Sequence, residues 1–493
     1  MDSLAFLCAR IIVTHHPLPV LPDDLYPLLF QVAFLDGRPQ VLKDLVATWP
    51  FRELHFQRLA GHRKLLWDHS CEDCVQAVIQ GVVEKVKREL EEPGCHSSLH
   101  ELDMTGLPDS VPGRTPAGLT TSFITDILVK ACVEVSKHKL ELQRRKSRRH
   151  KGSSGVARAS AALRLPGVDV LADLCTAKCS YETLRKVIRA RATGPLRLKC
   201  REFQAKQLPP YKIVRLLRSL DPSRVRRVNI YLSFSGFKEL SFILPHLLRF
   251  PQLRSLQLQV RGVGLQQVTP ELAIKIRSVS RLLGMLPSLR ELNLGCSKIS
   301  GNLHQLLWDL QAPLNSLELN DCSLVPADLT FLSQSFHAPA LKILDLSHLK
   351  ISQGLLEPLQ LLLEKTSASL LHLYLSGCDM ADSHLDTLIP TLQRCSRLRF
   401  LDLSYNPLSM AALKNLLQKT LELPYLQLVV YPEPKECCHM ESSELGVIKK
   451  VADKELLAAA AAEISQLLEN SGRTDIVWTY DRDNHRAPDY FSL

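Results

Sequence analysis

The sequence lacks the features that direct a chain into a membrane or through a secretory pathway. No run of apolar residues reaches the ~20 that a transmembrane helix needs, and no Asn-x-Ser/Thr glycosylation sequon occurs. The apolar N-terminal stretch follows Asp2 and is interrupted by Arg10, which is not the pattern of a secretory signal peptide. The 14 cysteines do not form a small, dense disulfide framework. We therefore expect reduced thiols and a cytoplasmic location.

Motifs that carry catalysis or hold a nucleotide are also missing. The sequence contains no G-x-x-x-x-G-K-[ST], G-x-G-x-x-G, G-x-S-x-G or H-E-x-x-H. Cys71 and Cys74 have CxxC spacing, but no second CxxC supplies the four ligands of a zinc site, and the segment has the pattern of a helix. We therefore predict a protein that is not an enzyme and that needs no cofactor or metal.

Net positive charge is concentrated in one segment. The net charge of the 493 residues is +10, but residues 137–158 hold nine Lys or Arg and one acid, which leaves about +2 elsewhere. Dense like charge beside glycine and serine predicts a solvated, mobile loop. Nuclear targeting through residues 144–151, which would give a nuclear fraction, is an alternative. The segment lacks aromatic residues for base stacking, so we predict no nucleic-acid partner, and we predict no membrane partner.

A leucine ladder occupies the C-terminal half of the chain. The pattern Leu-x-x-Leu-x-Leu recurs with first leucines 25, 27, 29 and 28 residues apart, at Leu289, Leu314, Leu341, Leu370 and Leu398. This is the period and spelling of a leucine-rich repeat, whose units must stack because one unit alone cannot bury its apolar face. The ladder predicts an α/β leucine-rich-repeat solenoid, or horseshoe, whose concave surface binds another macromolecule.

The turn after each rung has its own signature. Eight residues after the first leucine, the pattern favours Asn or Cys, which satisfy buried backbone groups of the turn. Cys322, Cys378 and Asn406 stand at this position, while Ser297 and Leu349 depart from it.

Helical sequence precedes the repeats and a small cap follows them. Apolar residues with helical spacing begin at Leu4, and a helix from Asp453 to about Asn470 with a strand near Ile476 is expected to close the end of the solenoid. The predicted division is residues 1–95 for an α-helical N-terminal region, 96–220 for divergent repeats with the basic loop 137–158, 221–430 for regular repeats, and 431–493 for the C-terminal cap.

The outward positions of the rungs form a candidate partner-binding face. Residues between the leucines of a strand point away from the core, because side chains alternate across a strand. The central outward position of each rung is held in turn by Asn293, Glu318, Asp345, Tyr374 and Asp402. Phe400 flanks this column and is also a candidate contact residue. Acidic and aromatic side chains together favour a partner segment with basic and apolar groups. The alternative for any one of these residues is a solvated strand position without a partner.

Two short motifs lie near the N-terminus. Leu4, Cys8 and Ile12 recur every fourth residue and so share one helical stripe, in a pattern similar to an elongin-binding BC box. Nine residues later, a stretch containing Leu21, Pro22, Leu25 and Leu29 resembles a cullin-two box. The alternative is that the same stripe docks on the N-terminal edge of the solenoid itself, and the sequence does not decide between the two.

Longer segments carry a resemblance to a known family. The chain resembles the PRAME leucine-rich-repeat family over nearly its whole length, on the sequences LPDDLYPLLF from Leu21, WPF from Trp49, GPLRL from Gly194, NPLS from Asn406 and DYFSL from Asp489. The basic segment 137–158 is a departure from the family pattern.

The resemblance implies a role as well as a fold. It implies a cytosolic adaptor that binds the catalytic beta subunit of the IκB kinase and restrains NF-κB signalling downstream of Toll-like receptors. The wider family implies an alternative role as substrate receptor of a cullin-two–elongin ubiquitin ligase, with elongin and cullin-two as partners.

Overall fold

The structure is a computed structural model, and it describes residues 4–15, 17–60, 71–92, 98–107, 120–150, 167–190, 194–232, 237–260, 270–297, 299–442 and 448–480. The chain divides into two compact units, Met1–Asn229 (unit 1) and Ile230–Leu493 (unit 2). Part of the predicted basic loop (151–158) and the final DYFSL sequence lie outside the described residues.

Unit 1 combines helices with a parallel sheet. Its helices are α1 (Leu4–Thr14), α2 (Tyr26–Leu35), α3 (Pro39–Ala47), α4 (Phe56–Ala60), α5 (Glu72–Glu91), α6 (Thr121–His150), α7 (Tyr181–Ala190) and α8 (Pro210–Ser219), with a 3-10 turn at Asp23–Leu25. Its strands pair in parallel in the order β1 (Glu53–His55), β2 (Glu101–Asp103), β3 (Val168–Thr176) and β4 (Leu196–Lys206). Strand β5 (Arg227–Leu232) spans the boundary between the units.

Two features of unit 1 differ from the sequence-based expectations. Strand β1 lies inside the region 1–95 that was predicted to be helical, and it pairs in parallel with β2, so the sheet begins before the predicted divergent repeats. The predicted loop is wrong for residues 137–150, which form the end of α6. The preceding turns explain this, because extending an existing helix is far easier than nucleating one. Basic side chains are also favourable at a helix C-terminus.

Unit 2 repeats one strand–helix pattern. Its parallel sheet has the order β6 (Ser255–Val260), β7 (Glu291–Asn293), β8 (Ser316–Glu318), β9 (Ile343–Asp345), β10 (His372–Tyr374), β11 (Phe400–Asp402), β12 (Leu428–Val430) and β15 (Val477–Thr479). Its helices are α9 (Phe237–Ile243), α10 (Pro270–Gly284), α11 (Leu303–Leu307), α12 (Pro326–Gln334), α13 (Gln353–Thr366), α14 (Asp382–Arg394), α15 (Met410–Thr420) and α16 (Lys454–Asn470). Strands β13 (Cys438–Ser442) and β14 (Ile448–Ala452) form an antiparallel hairpin, and 3-10 turns occupy Leu244–His246, Ala338–Ala340 and Lys435–Cys437.

The leucine rungs form the core of unit 2. Leu317, Leu344 and Leu373 lie in register on neighbouring strands and are fully buried. Each buried leucine stabilises the fold by roughly 1.5–3 kcal/mol relative to an exposed one. The alternation of parallel strands with helices confirms the predicted α/β leucine-rich-repeat class, with its helical N-terminal region and its C-terminal cap.

The turn position of the repeat is filled as the pattern predicts. The side-chain oxygen of Asn406 accepts hydrogen bonds from the amides of Cys378 (2.9 Å) and Met380 (3.0 Å). Its amide nitrogen donates to the carbonyls of Leu375 (2.8 Å) and Leu403 (2.7 Å). Asn406 therefore joins its own turn to the preceding repeat.

The cysteines at the same position hold fewer bonds of the same kind. The thiol of Cys322 donates to the Leu294 carbonyl (3.2 Å), and that of Cys378 donates to the Leu346 carbonyl (3.3 Å). Burial raises the pKa of each thiol to about 12. Both cysteines are therefore structural thiols rather than nucleophiles.

The C-terminal cap closes the last repeat with an arginine. Strand β15 continues the sheet beside β12, and α16 precedes it in the chain. The Arg473 guanidinium donates to the Leu421 carbonyl, to the Leu423 carbonyl (3.1 Å) and to the Leu426 carbonyl (3.5 Å). These carbonyls would otherwise lack partners at the end of the stack. In the described part of the chain, no helix combines the length and hydropathy that a membrane span requires.

Candidate protein-binding surfaces

Helix α1 presents an apolar face to solvent. Leu4 is 78% exposed and Ile11 is 64% exposed, while Leu7 and Cys8 are also exposed. These four residues follow the i, i+3, i+4, i+7 spacing of one helical face. The opposite side is buried through Ala9 and Val13. Leu4 and Cys8 therefore do not dock on the chain's own N-terminal edge. The exposed face is completed by Ile11 and not by the predicted Ile12, which is half-buried.

An ion pair fixes α1 on the rest of unit 1. The Arg10 guanidinium donates to Asp36 Oδ1 from Nε (3.1 Å) and from Nη2 (3.0 Å), just beyond the end of α2. Such a paired contact holds the helix orientation. The apolar face is thus presented on a folded helix, so a partner would not have to order it first.

The cullin-box candidates divide between surface and core. Pro22 is exposed, and Leu21 and Leu25 are half-buried, so these three remain accessible candidates. Leu29 is only 1% exposed and lies on the buried side of α2 beside Phe30. The expectation that Leu29 contacts a partner is wrong, because that face of α2 packs into unit 1.

The candidate residues of unit 2 line up as predicted. Asn293 pairs in register with Glu318, Glu318 with Asp345, Asp345 with Tyr374 and Tyr374 with Asp402. We call these five residues the central column. The Asn293 side-chain nitrogen donates to a Glu318 carboxylate oxygen, which links the first two members. The column is therefore one continuous line across five strands.

Local hydrogen bonds give three column members a structural role. Asn293 Oδ1 accepts from the Gly295 amide (2.9 Å), Asp345 Oδ1 from the Ser347 amide (2.8 Å) and Asp402 Oδ1 from the Ser404 amide (2.9 Å). Each side chain thus closes the turn two residues after its own position, a bond that only Asn, Asp and similar short polar residues make. Their polarity alone is not evidence of a partner.

Two predicted contact residues are buried. Asp402 is 0% exposed and Phe400 is 3% exposed. The Phe400 ring packs against Tyr374 (centroids 4.9 Å apart) and His372 (6.0 Å), and the Ser404 hydroxyl donates to Asp402 Oδ1 (2.6 Å). The prediction that these two side chains offer partner-accessible surface is wrong, since adjacent side chains cover them.

Burial, and then the charge of Arg399, lowers the pKa of His372 to about 4, so this histidine is neutral at pH 7.

Strands β3 and β4 of unit 1 carry a charged cluster that was not predicted from the sequence. Arg197 and Lys199 both donate to the carboxylate of Asp169 on the adjacent strand. Burial opposes the charged form of Asp169, but the bonds from Lys199 and Arg197 outweigh it and hold the pKa of this carboxyl below its usual value. The alternating pattern of β4 placed both basic residues on one face, but only the strand pairing identifies Asp169 as their partner.

The Asp169 cluster makes stability depend on pH. A carboxyl whose folded pKa is lowered stabilises the protein above its unfolded pKa of about 4, and this contribution is lost as pH falls through the folded value. We expect Asp169→Asn to lower the free energy of unfolding by about 1–2 kcal/mol at pH 7, and this difference to shrink below pH ~4. Urea unfolding across pH, with Asp126→Asn as an exposed control, measures it. A difference that is constant with pH would contradict the assignment.

The CxxC pair has a structural explanation. Cys71 is the N-cap of α5, and its sulfur accepts a hydrogen bond from the Cys74 amide (3.2 Å). Among the residues that the structure describes, no group of three or more His, Cys, Asp or Glu side chains could hold a metal ion.

Comparison with known proteins identifies the family. The model of the PRAME C-terminal domain matches residues 168–482, and that of the PRAME N-terminal domain matches residues 5–104. The chain belongs to the PRAME family. Leucine-rich repeat-containing protein 14 from Xenopus laevis is 38% identical over 513 residues, and that from Homo sapiens is 37% identical, each covering 100% of both chains. A chain from the crystal structure of the Rad7 and Elc1 complex in yeast is 13% identical with a TM-score of 0.37, covering 87% of this chain and 93% of that one.

The two family models divide the chain at a different place from the two compact units, because the C-terminal model begins inside unit 1. The N-terminal family model spans α1 to β2, and the C-terminal model begins at β3. Residues 105–167, which contain α6, lie between the two matched regions. The central column and three of the four residues of the α1 face, Leu7, Cys8 and Ile11, lie within the matched regions.

Proposed function

We propose that this PRAME-family chain is a non-enzymatic leucine-rich-repeat adaptor that holds one protein on unit 2 and recruits another through α1. The observation that carries this proposal is the apolar face of Leu4, Leu7, Cys8 and Ile11, which is exposed on a fixed helix. Apolar side chains at helical spacing are anchors for a groove on a partner protein. A cytoplasmic location, with a nuclear fraction directed by residues 144–151, is part of the proposal.

For the protein held on unit 2, we propose the catalytic beta subunit of the IκB kinase. Binding would restrain NF-κB signalling downstream of Toll-like receptors. The resemblance to the PRAME family supports this choice of partner. The chemistry of the central column supports the kind of segment bound, because Glu318, Asp345 and Tyr374 are half-buried in one line and suit a segment with basic and apolar side chains.

Charge removal within the column tests the unit 2 surface. We expect the double variant Glu318→Gln/Asp345→Asn to reduce co-precipitation of the kinase subunit at least fivefold, about 1 kcal/mol of binding free energy. Asparagine at position 345 keeps the oxygen that closes the turn, as Asn293 does in its own repeat. Asp402→Asn is the matched control, because the same change falls on a buried side chain. Undiminished capture by the double variant would place the kinase elsewhere.

A second candidate function is substrate receptor of a cullin-two–elongin ubiquitin ligase. The exposed face of α1 favours it, because full burial of Leu4 or Ile11 in an elongin groove would contribute roughly 1.5–3 kcal/mol each. Leu21, Pro22 and Leu25 remain the candidates for cullin contact. The two functions are compatible, since a substrate receptor also needs a surface that holds its target.

A further inference from the structure

Helix α6 extends beyond the core of unit 1. Its first half packs inward through Ile124, Leu128, Cys132 and Val135, which are all buried. From Leu140 onward, the described side chains are exposed or half-buried. The helix therefore presents its C-terminal turns as a surface, although its sequence suggested a loop.

One face of these turns is an open, solvent-facing surface. Its residues follow the helical spacing i, i+3, i+4, i+7, i+8, and they are Leu140, Gln143, Arg144, Ser147 and Arg148. Leu140 is 53% exposed at this face, so an apolar group lies beside two guanidinium groups. This combination is a binding surface with two chemistries, one for an anion and one for an apolar side chain.

This part of α6 is strongly basic. Residues 137–150 contain seven Lys or Arg against the single acid Glu141. Arg144 and Arg148 are four residues apart on the helix, where like charges repel. Within the described part of the chain, no acidic side chain forms an ion pair with either one. A carboxylate placed between them would replace this repulsion by two charge-assisted hydrogen bonds.

We propose that this face of α6 binds an acidic segment of a protein partner, in which a carboxylate neighbours an apolar side chain. Duplex nucleic acid suits the surface less well, because a phosphate backbone offers Leu140 no apolar group to cover. A phosphate backbone would also engage basic residues on every side of the helix, including Arg145, which lies about 100° from Arg144 around the helix. The surface is separate from the α1 face and the central column, so it adds a third contact to the proposed adaptor.

Fluorescence anisotropy on the full-length chain tests the proposal with two labelled peptides, repeated Glu-Glu-Leu and repeated Glu-Glu-Ser. We expect Arg148→Gln to weaken binding of the leucine peptide roughly tenfold. The matched control Arg145→Gln, which removes the same charge on the other side of the helix, should weaken it less than about twofold. Leu140→Ser should weaken the leucine peptide about fivefold and leave the serine peptide unchanged. Circular dichroism verifies that each variant retains its helical content.

Two results would overturn the proposal. Equal losses from Arg148→Gln and Arg145→Gln would show an unspecific polycation without a defined binding face. Duplex RNA that binds more tightly than the leucine peptide, with an affinity unchanged by Leu140→Ser, would assign the surface to nucleic acid. Neither result bears on capture of the kinase subunit or of elongin, so failure here is distinguishable from failure of the proposed adaptor function.

Discussion

Replacing Leu4 and Ile11 by glutamate is expected to abolish capture of elongin by this chain while leaving the fold intact. Both side chains are exposed on α1, so replacing them by charged side chains costs little of the free energy of unfolding. Each substitution removes an apolar contact worth roughly 1.5–3 kcal/mol in a groove. It would also bury an unpaired charge there, so affinity should fall more than about 100-fold.

Purified elongin and a thermal melt together measure this effect. Ala5→Glu is the matched control, because Ala5 is also exposed on α1 but lies about 100° away from Leu4 around the helix. It should bind like the unaltered protein. Retained binding by Leu4→Glu/Ile11→Glu, at an unchanged melting temperature, would remove the ligase-receptor function and leave the adaptor function of unit 2.

The Asn406→Ala variant is expected to lose about 3–5 kcal/mol of stability in unit 2, because four buried backbone groups lose their partner at once. Asn406 is buried and serves two amides and two carbonyls. In a repeat fold the damage should concentrate in neighbouring repeats, because each repeat contacts only its neighbours. Hydrogen exchange should therefore accelerate most at β10 and β11.

A graded series sharpens the Asn406 test. Asn406→Cys should lose about half as much stability as Asn406→Ala, because a thiol can reach one carbonyl, as Cys322 and Cys378 do at the same repeat position. Asn415→Ala on α15 serves as the control. The Asn415 amide nitrogen donates to the Asp386 carboxylate in an exposed bond, so its loss leaves no buried group without a partner. If urea unfolding finds Asn406→Ala within about 1 kcal/mol of the unaltered chain, the turn network is not a major source of stability.

The repeats could be predicted because their period is long and the leucine positions within each repeat are fixed. Leu317, Leu344 and Leu373 each fall where the ladder requires a buried side chain, and all three are buried. The turn residues Cys322, Cys378 and Asn406 were predictable for the same reason. The order of strands follows from stacking alone, since each repeat must cover the apolar face of the one before it.

Accessibility was harder to predict than position. Ile11 and Ile12 both lie near the apolar stripe of α1, and periodicity alone does not decide which one faces solvent; packing onto α2 decides it. Asp402 is placed on the predicted column, yet neighbouring side chains bury it. In α6, composition favoured a loop, whereas growth from an established helix prevailed. For α1 the deciding contacts come from α2, and for α6 the deciding factor is the helix that precedes the basic residues.

The turn bonds of the central column tie folding to specificity along one line of residues. Asn293, Asp345 and Asp402 each close a turn, so substitutions other than between Asn and Asp at these positions change the backbone as well as the surface. An exchange between Asn and Asp keeps the oxygen that closes the turn and changes only the charge. The charge of this surface can therefore be altered at these positions without a compensating change in the scaffold.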